Sequence, residues 1–386
     1  LVSWLLLFLS LPLPLPNITA RSAILMDYAS GRVIWAKNGQ EKLPPASLTK
    51  ILTAILILER GNLDDVVTVG SNPSKIEPTA LGFKEGDKIT LKDLLTAILV
   101  HSANDAAIEG AEYISGSEDE FVSQMNEKAR ELGALNTHFV NCHGLHHPLH
   151  YSTAYDIAIM ARYALSNPIF ASLVALRKAE IRIWNKEERK ITIDNTNKLL
   201  SFYPYANGIK TGYTNEAGRC LAASAKKDGW QLIAVILNSK DVWKEAQALF
   251  EYAFNNFQPH FVARIGVPIG YLKINGNPQQ IPLMPLSDIV VFSPKNQIPN
   301  IKVEKKIFKK EPPFKAGEKV GILKVRVNGE NWGQTHILAG EDASPTFSRI
   351  LSSFSLKTAL IALFLLVLLK LWEERKGNNS LKLHNR

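Results

Sequence analysis

The sequence predicts a mixed α/β domain over about residues 21–258, a small all-β domain over 259–345, and an apolar segment at each end. Three observations carry this. Strand-like patterns stand before and after a block of helical ones, the arrangement of a layered α/β (α+β) unit. After about Gln258 no helical pattern appears before residue 345, and short alternating runs are separated by Gly, Pro and Asn turns. The first ten residues, and Ala359 to Leu369 near the end, are strongly apolar. A chain of 386 residues is too long for one ordinary core. With 46% hydrophobic and 21% charged residues it has the composition of a folded protein.

At the N-terminus, Leu5–Leu9 is apolar and prolines 12, 14 and 16 keep it from becoming a long helix. Residues 1–20 therefore read as a secretory signal with cleavage after Ala20. Residues 23–38 read as two short strands around a Ser-Gly turn. From Leu43 the chain runs LPPASLTKILTAILILERG. Paired prolines before the start and Gly61 at the end delimit a helix. It is apolar on nearly every side, so it belongs in the domain centre. Residues 91–114 read as two helices broken near His101–Asn104. Helical patterns continue over 125–134 and 152–165. Strand patterns follow at 181–193, 209–213, 219–225 and 231–237, and a helix over 241–256 closes the domain.

At the C-terminus, Ala359–Leu369 is an uninterrupted apolar run. Phe347, Ile350, Leu351 and Phe354 stand at i, i+3, i+4 and i+7 and suggest an amphipathic lead-in. Residues 346–372 are thus expected to form an amphipathic and transmembrane anchor. Trp372 suits a membrane interface, and Arg375, Lys376, Lys382 and Arg386 favour a basic cytoplasmic tail over 373–386. The expected location is the cell membrane, with the bulk of an exported chain on the extracytoplasmic side.

The net charge of +9 fits nucleic acid, an anionic membrane surface, an acidic polymer or simple solubility. No zinc-finger, helix-turn-helix or RNA-binding signature supports a nucleic-acid partner. The basic run around Lys302–Lys310 alternates with Ile, Val and Phe and reads as an exposed strand. Cys142 and Cys220 are the two cysteines. They are far apart and read as small buried hydrophobes rather than a disulfide framework.

Three short motifs carry the chemistry: Ser47-Leu48-Thr49-Lys50, Ser102-Ala103-Asn104 and Lys210-Thr211-Gly212. Ser47 and Lys50 lie three apart on a helix, so they share a face. A serine hydroxyl needs a neighbouring base to become a nucleophile. Burial or a second ammonium lowers a lysine pKa enough for that task. The blander reading makes Ser47 a helix cap and Lys50 a surface charge, but a lysine in an almost wholly apolar helix needs a partner or a function. Ser102 is placed to relay a proton between Lys50 and a leaving amine. Asn104 offers its amide groups to a substrate peptide. Lys210 supplies positive charge, Thr211 a hydrogen bond to a terminal carboxylate, and Gly212 a close backbone approach. The N–H groups of Ser47 and Tyr213 are the expected oxyanion donors. His138, His143, His146, His147 and His150 crowd into thirteen residues beside Cys142. Their spacing matches no standard zinc pattern, and the Gly and Pro among them suggest a surface loop. No metal or cofactor is expected.

The order, spacing and setting of these motifs resemble the D-alanyl-D-alanine carboxypeptidases, the low-molecular-mass penicillin-binding proteins. PPASLTKILTA, LVHSANDAA, MNEKARELGALNTHFVNCHGL, HYSTAYDIA and NGIKTGYT are all similar to family segments, in family order, and the resemblance covers about residues 21–345. It implies a catalytic domain of the serine β-lactamase/D,D-peptidase-like fold followed by a β domain. It implies removal of the terminal D-alanine from peptidoglycan stem pentapeptides through an acyl-enzyme, without metal. Penicillins and other β-lactams are then covalent inhibitors at the same serine. By this resemblance Ser47 is the nucleophile and Lys50 the base, with Ser102 and Asn104 as the second motif and Lys210, Thr211 and Gly212 as the third. Cys142, Thr196 and Asn207 depart from the family pattern; Thr196 stands where some relatives carry Arg. Three other readings compete. A class A β-lactamase needs a deacylating Glu with Asn four residues on, whereas Glu131 and Asn136 are five apart. A D,D-endopeptidase uses the same motifs on cross-linked peptides. A catalytically silent wall-binding protein would not be acylated.

Overall fold

The computed structural model describes residues 15–76, 78–185, 187–274, 280–344, 360–361 and 363–371. These divide into two compact units. One runs to Pro259 and includes Phe292–Ile298; the other comprises His260–Val291 and the chain from Pro299.

The strands of the first unit, in chain order, are β1 (Ser22–Asp27), β2 (Val33–Lys37), β3 (Val66–Thr68), β4 (Lys88–Thr90), β5 (Lys178–Trp184), β6 (Glu188–Asp194), β7 (Ala206–Thr214), β8 (Gly218–Lys227) and β9 (Trp230–Ser239). Five of them form an antiparallel sheet in the order β2-β1-β9-β8-β7. Residues 220–225 of β8 and 232–237 of β9 are all buried. A strand buried at every position must be covered on both faces. The helices that cover it come from the middle and the end of the unit: α1 (Lys50–Arg60), α2 (Leu91–Thr96), α3 (Asn104–Ser115), α4 (Glu118–Glu131), α5 (Ala154–Leu165), α6 (Pro168–Val174), α7 (Leu199–Phe202) and α8 (Val242–Asn256). Helix α5 packs on β1 and β9, and α8 on β8 and β9. Helix α1 lies among α3, α4 and α5, and residues 50–57 are buried without exception. Its central position follows from its all-round apolar sequence. A small antiparallel sheet, β3-β4-β5-β6, stands apart from the large one.

Local chemistry fixes the helix ends. The side chains of Thr90, Ser117, Thr153, Asn167 and Asp241 each accept a hydrogen bond from a backbone N–H in the first turn of α2, α4, α5, α6 and α8. The expected break near His101–Asn104 is present. A π-helical segment over Ala97–His101 continues α2, and Ser102 ends it in a left-handed conformation (φ 71°) before α3 begins.

The second unit contains a five-stranded antiparallel sheet. The remaining strands in chain order are β10 (Phe257–Ala263), β11 (Tyr271–Lys273), β12 (Gln280–Pro285), β13 (Ile289–Pro294), β14 (Ile301–Ile307), β15 (Lys319–Val327) and β16 (Glu330–Ala339), of which β10 and β13 pair with each other and lie outside this sheet. The sheet order is β11-β12-β16-β15-β14. Leu323, Val325 and Val327 of β15 point into the core, while Lys324 and Arg326 point out. Strand β14 carries the basic run and is exposed along Lys302–Lys306, as its alternation predicts.

At the N-terminus, residues 1–14 lie outside the described residues. Ile18 and Ala20 are buried, and the Glu245 carboxylate accepts hydrogen bonds from the Thr19 N–H (2.8 Å) and hydroxyl (2.6 Å). At the other end, residues 345–359 and 372–386 lie outside the described residues, and with them the amphipathic lead-in and the basic tail. Residues 360–361 and 363–371 are helical with exposed side chains. Among the described residues no single helix is long and apolar enough to cross a membrane.

Candidate active site

The three motifs meet where the chain enters α1. Pro45 precedes a 3₁₀ turn over Ala46–Thr49, which carries Ser47 and runs directly into Lys50. Ala46 holds a left-handed conformation (φ 48°) although it is not glycine. Such a residue stores about 1–3 kcal/mol and persists only where its surroundings hold it.

Lys50 is fully buried. Its Nζ lies 3.0 Å from Ser47 Oγ, 2.6 Å from Asn104 Oδ1 and 2.7 Å from the His143 carbonyl oxygen. An ammonium has three N–H donors, and here each has an acceptor. No carboxylate oxygen lies within ion-pair distance of this nitrogen among the described residues, so burial dominates and pushes the Lys50 pKa down to about 7. Above that pH the side chain is a neutral amine beside a serine hydroxyl.

The second motif reaches Lys50 from the start of α3. Sequence reasoning assigned the Asn104 amide to a substrate peptide; the structure engages both of its ends within the protein. Oδ1 accepts from Lys50, and Nδ2 donates to the Pro78 carbonyl at 2.5 Å. An amide nitrogen has two hydrogens, so one remains. Ser102 is buried just before it, in the left-handed position that ends the π segment. Next door, Asp105 Oδ2 gathers the N–H groups of Leu81, Gly82 and Phe83 at 2.8, 3.0 and 3.4 Å. It ties the loop over 78–83 to the helix that carries Asn104.

The third motif lies on β7. Lys210 is buried, and burial together with the nearby Lys50 ammonium holds its pKa well below the usual lysine value. Thr211 Oγ1 is 2.6 Å from Thr196 Oγ1. A Cβ on Gly212 would stand 3.0 Å from the Ser47 nitrogen and 3.1 Å from the Pro45 oxygen, so any side chain there would push the strand and the serine turn apart by a few tenths of an ångström. Tyr213 follows on the same strand with its side chain 64% exposed. Asn207 accepts a hydrogen bond from Ser224 Oγ at 2.7 Å and stays within the β7–β8 pair.

The histidine-rich segment is only in part the surface loop expected of it: His138, His146, His147, Pro148 and Leu149 are exposed. His143 and His150 are buried, and burial pushes both imidazoles down to about 3, so they are neutral at ordinary pH. Residues 142–144 lie against the start of α1. Besides the His143 carbonyl on Lys50, the Cys142 carbonyl accepts from Thr53 Oγ1 at 2.5 Å. The Cys142 thiol is itself buried and held well above its ordinary pKa, so it is protonated and no nucleophile. Among the described residues no three His, Cys, Asp or Glu side chains converge as a metal-binding group. Gly144 is the residue that sequence reasoning passed over. A Cβ there would sit 2.0 Å from the Ala46 oxygen and 2.9 Å from the Ser47 nitrogen, and its φ of +94° also requires glycine. The only sequence signal was a glycine standing between histidines.

Gly144→Ala is therefore expected to displace the serine turn and slow acylation of Ser47 about 100-fold, the scale of a misplacement near 1 Å. The time course of labelling with a fluorescent penicillin measures it. An unchanged rate would show that this contact does not set the position of Ser47.

Comparison with known proteins gives the same picture for both units. Residues 12–241 match the family model described as D-alanyl-D-alanine carboxypeptidase, and residues 264–344 match that of the penicillin-binding protein 5 C-terminal domain. The D-alanyl-D-alanine carboxypeptidase DacF of Bacillus subtilis is 35% identical over 335 residues, covering 84% of this chain and 85% of its own. DacD of Salmonella typhimurium is 33% identical over 329 residues, covering 80% and 83%. The crystal structure of penicillin binding protein 5 from Haemophilus influenzae superposes with a TM-score of 0.66 at 27% identity, over 86% of this chain and all of that one. A buried lysine on a serine hydroxyl, three motifs converging in family order and two matched units make this chain a member of the D-alanyl-D-alanine carboxypeptidase family.

Proposed function

We propose that the chain is a serine-type D-Ala-D-Ala carboxypeptidase that trims the terminal D-alanine from peptidoglycan pentapeptides, and so acts in wall maturation and cell shape. The observation that carries this is the contact between Ser47 Oγ and a Lys50 whose pKa lies near 7. A base tuned close to ambient pH combines the right protonation state with a useful driving force.

In this reading neutral Lys50 takes the Ser47 proton as Oγ attacks the carbonyl carbon of the penultimate D-alanine. The N–H groups of Ser47 and Tyr213 hold the oxyanion. The C–N bond breaks, and the leaving amine receives the proton from Lys50 by way of Ser102. Water then cleaves the ester, again with Lys50 as base, and frees Ser47. Lys210 and Thr211 receive the substrate's terminal carboxylate; an opposite charge beside Lys210 restores its charged form. Asn104 holds Lys50 in place and offers its remaining N–H to the peptide. A β-lactam presents a similar carbonyl and carboxylate and acylates the same serine. The class A β-lactamase reading has no support at Glu131, whose side chain is 68% exposed and paired with Lys128. An endopeptidase would use the same groups on a cross-linked peptide, and a silent wall binder would leave Ser47 unreacted.

The same proposal places the enzyme outside the cytoplasmic membrane. An N-terminal signal directs export and the C-terminal apolar segment holds the chain at the membrane; the support is the composition of Ala359–Leu369 and its basic flank.

Three outcomes test this. The intact protein releases D-alanine from a pentapeptide ending in D-Ala-D-Ala and binds penicillin covalently, while folded Ser47→Ala does neither; persistent labelling of that variant would exclude Ser47 as the nucleophile. Because Lys50 is protonated below about pH 7 and cannot then accept a proton, acylation rises about tenfold per pH unit below that value and levels off above it. A rate that stays flat from about pH 5 to 8 would remove Lys50 as the base. Deleting residues 346–386 moves the protein from the membrane pellet to the soluble fraction with D-alanine release retained, and a truncated chain that still pellets would refute the anchor.

A further inference from the structure

His150 is one of the most enclosed polar side chains in the first unit, and the reaction described above gives it no task. It is 2% exposed and packs edge-on against Phe139, with ring centroids 5.4 Å apart. Both of its nitrogens are engaged. The Val140 N–H donates to Nδ1 at 3.1 Å, and Nε2 lies 2.8 Å from Thr49 Oγ1. A neutral imidazole carries one proton, and a backbone N–H can only donate. Nδ1 is therefore the acceptor, and the proton stands on Nε2 and is donated to Thr49 Oγ1. The threonine hydroxyl in turn donates its own hydrogen to the Ala46 carbonyl at 2.8 Å. The bonds run in one direction, from Val140 through His150 and Thr49 to Ala46, and every member is satisfied.

The end of this chain matters because of where it falls. The Ala46 carbonyl and the Ser47 N–H belong to one peptide plane. In a trans peptide these two groups point in opposite directions. Drawing the Ala46 oxygen toward Thr49 turns the Ser47 N–H the other way, out of the helix start. Ala46 holds its left-handed conformation only under restraint (φ 48°), and the hydrogen bond from Thr49 is that restraint on one side. The glycine at 144 closes against the same carbonyl from the other, where a Cβ would stand 2.0 Å from the oxygen. Burial keeps the imidazole neutral, with its pKa pushed down to about 3, so the relay keeps its direction across the working pH range.

We propose that His150 is a positioning residue for the nucleophile: through Thr49 it orients the Ala46–Ser47 peptide, and so aims both the Ser47 hydroxyl at Lys50 and the Ser47 N–H at the developing oxyanion. The assignment rests on the acyl-enzyme reading given above. His150 and Thr49 touch neither substrate nor reacting atoms. Their effect falls on the chemical step and not on substrate binding, because the peptide plane they set is the one that receives charge in the transition state.

The full-length enzyme and the variants Thr49→Val, His150→Phe, Thr49→Ser, His150→Gln and the double variant Thr49→Val/His150→Phe test this. Active-site titration with a fluorescent penicillin counts competent molecules, so that rates are expressed per competent site and partial misfolding does not enter. We expect Thr49→Val and His150→Phe to lower the acylation rate constant and kcat for D-alanine release about 10- to 100-fold with KM little changed. Thr49→Ser and His150→Gln keep a donor in place and restore the rate to within a few-fold. The double variant is no slower than the worse single one, because both substitutions break the same relay. Near wild-type rates per competent site in Thr49→Val, or in His150→Phe, would overturn the assignment. So would additive losses in the double variant, or a loss confined to Tm. Should His150→Phe give no competent sites, Thr49→Val and His150→Gln decide the matter alone. A wild-type chain that takes up no penicillin would instead overturn the functional reading, and this assignment with it.

Discussion

An amine in the middle of an apolar helix bundle is the constraint on which the catalytic unit depends. Burying a charged ammonium without partners is far more costly than the net stability of a domain allows. The unit answers in two ways. Burial lowers the Lys50 pKa to about 7, which removes much of the charge, and three oxygens accept its N–H groups. Those oxygens come from residues 47, 104 and 143, in three separate stretches of chain. One side chain therefore registers the start of α1, the start of α3 and the histidine-rich segment against one another. The interaction that stabilises the lysine is also the one that brings it to the serine.

A second constraint acts on the backbone. Ser47 lies in a turn that two other segments approach at van der Waals limits, β7 at Gly212 and the histidine-rich segment at Gly144. Neither approach tolerates a Cβ without displacement. Beneath them, β8 and β9 are buried on both faces and β7 is bonded to β8 along its length. Sites built on such elements hold their geometry more closely than sites carried by loops. The strained φ of Ala46 is accordingly over-determined by its neighbours, as strained residues at functional sites usually are.

The two buried lysines divide the electrostatic work. Lys50 is surrounded by neutral oxygens and loses its proton near neutrality, which suits a base. Lys210, on the strand beside it, is held low by burial and by Lys50 itself. An anionic group arriving next to Lys210 changes this balance, since an opposite charge favours the charged form of a lysine. The charge states of two side chains that the sequence separates by 160 positions are thus coupled.

Much of this was legible in the sequence. The proline pair before Ser47, the Gly61 stop and the all-round apolar character of residues 51–58 defined α1 and its burial. The break near Ser102 and the strand that carries Lys210 were also readable, because periodicity and turn chemistry are local. Ser47 and Lys50 share a face by helical geometry alone, and the order of the three motifs named the family. The sequence did not disclose that both ends of the Asn104 carboxamide are held within the protein, that Asp105 ties down the 78–83 loop, or that Gly144, His143 and His150 close over the serine turn. Most of these partnerships have a backbone N–H or carbonyl group on one side, and all of them join residues far apart in the chain, so no local side-chain pattern marks them. Local rules determined which elements form and which motifs meet at the site. Only the packed tertiary structure, which brings distant backbone against the start of α1, decided the pKa of Lys50, the tautomer of His150 and the direction in which Ser47 faces.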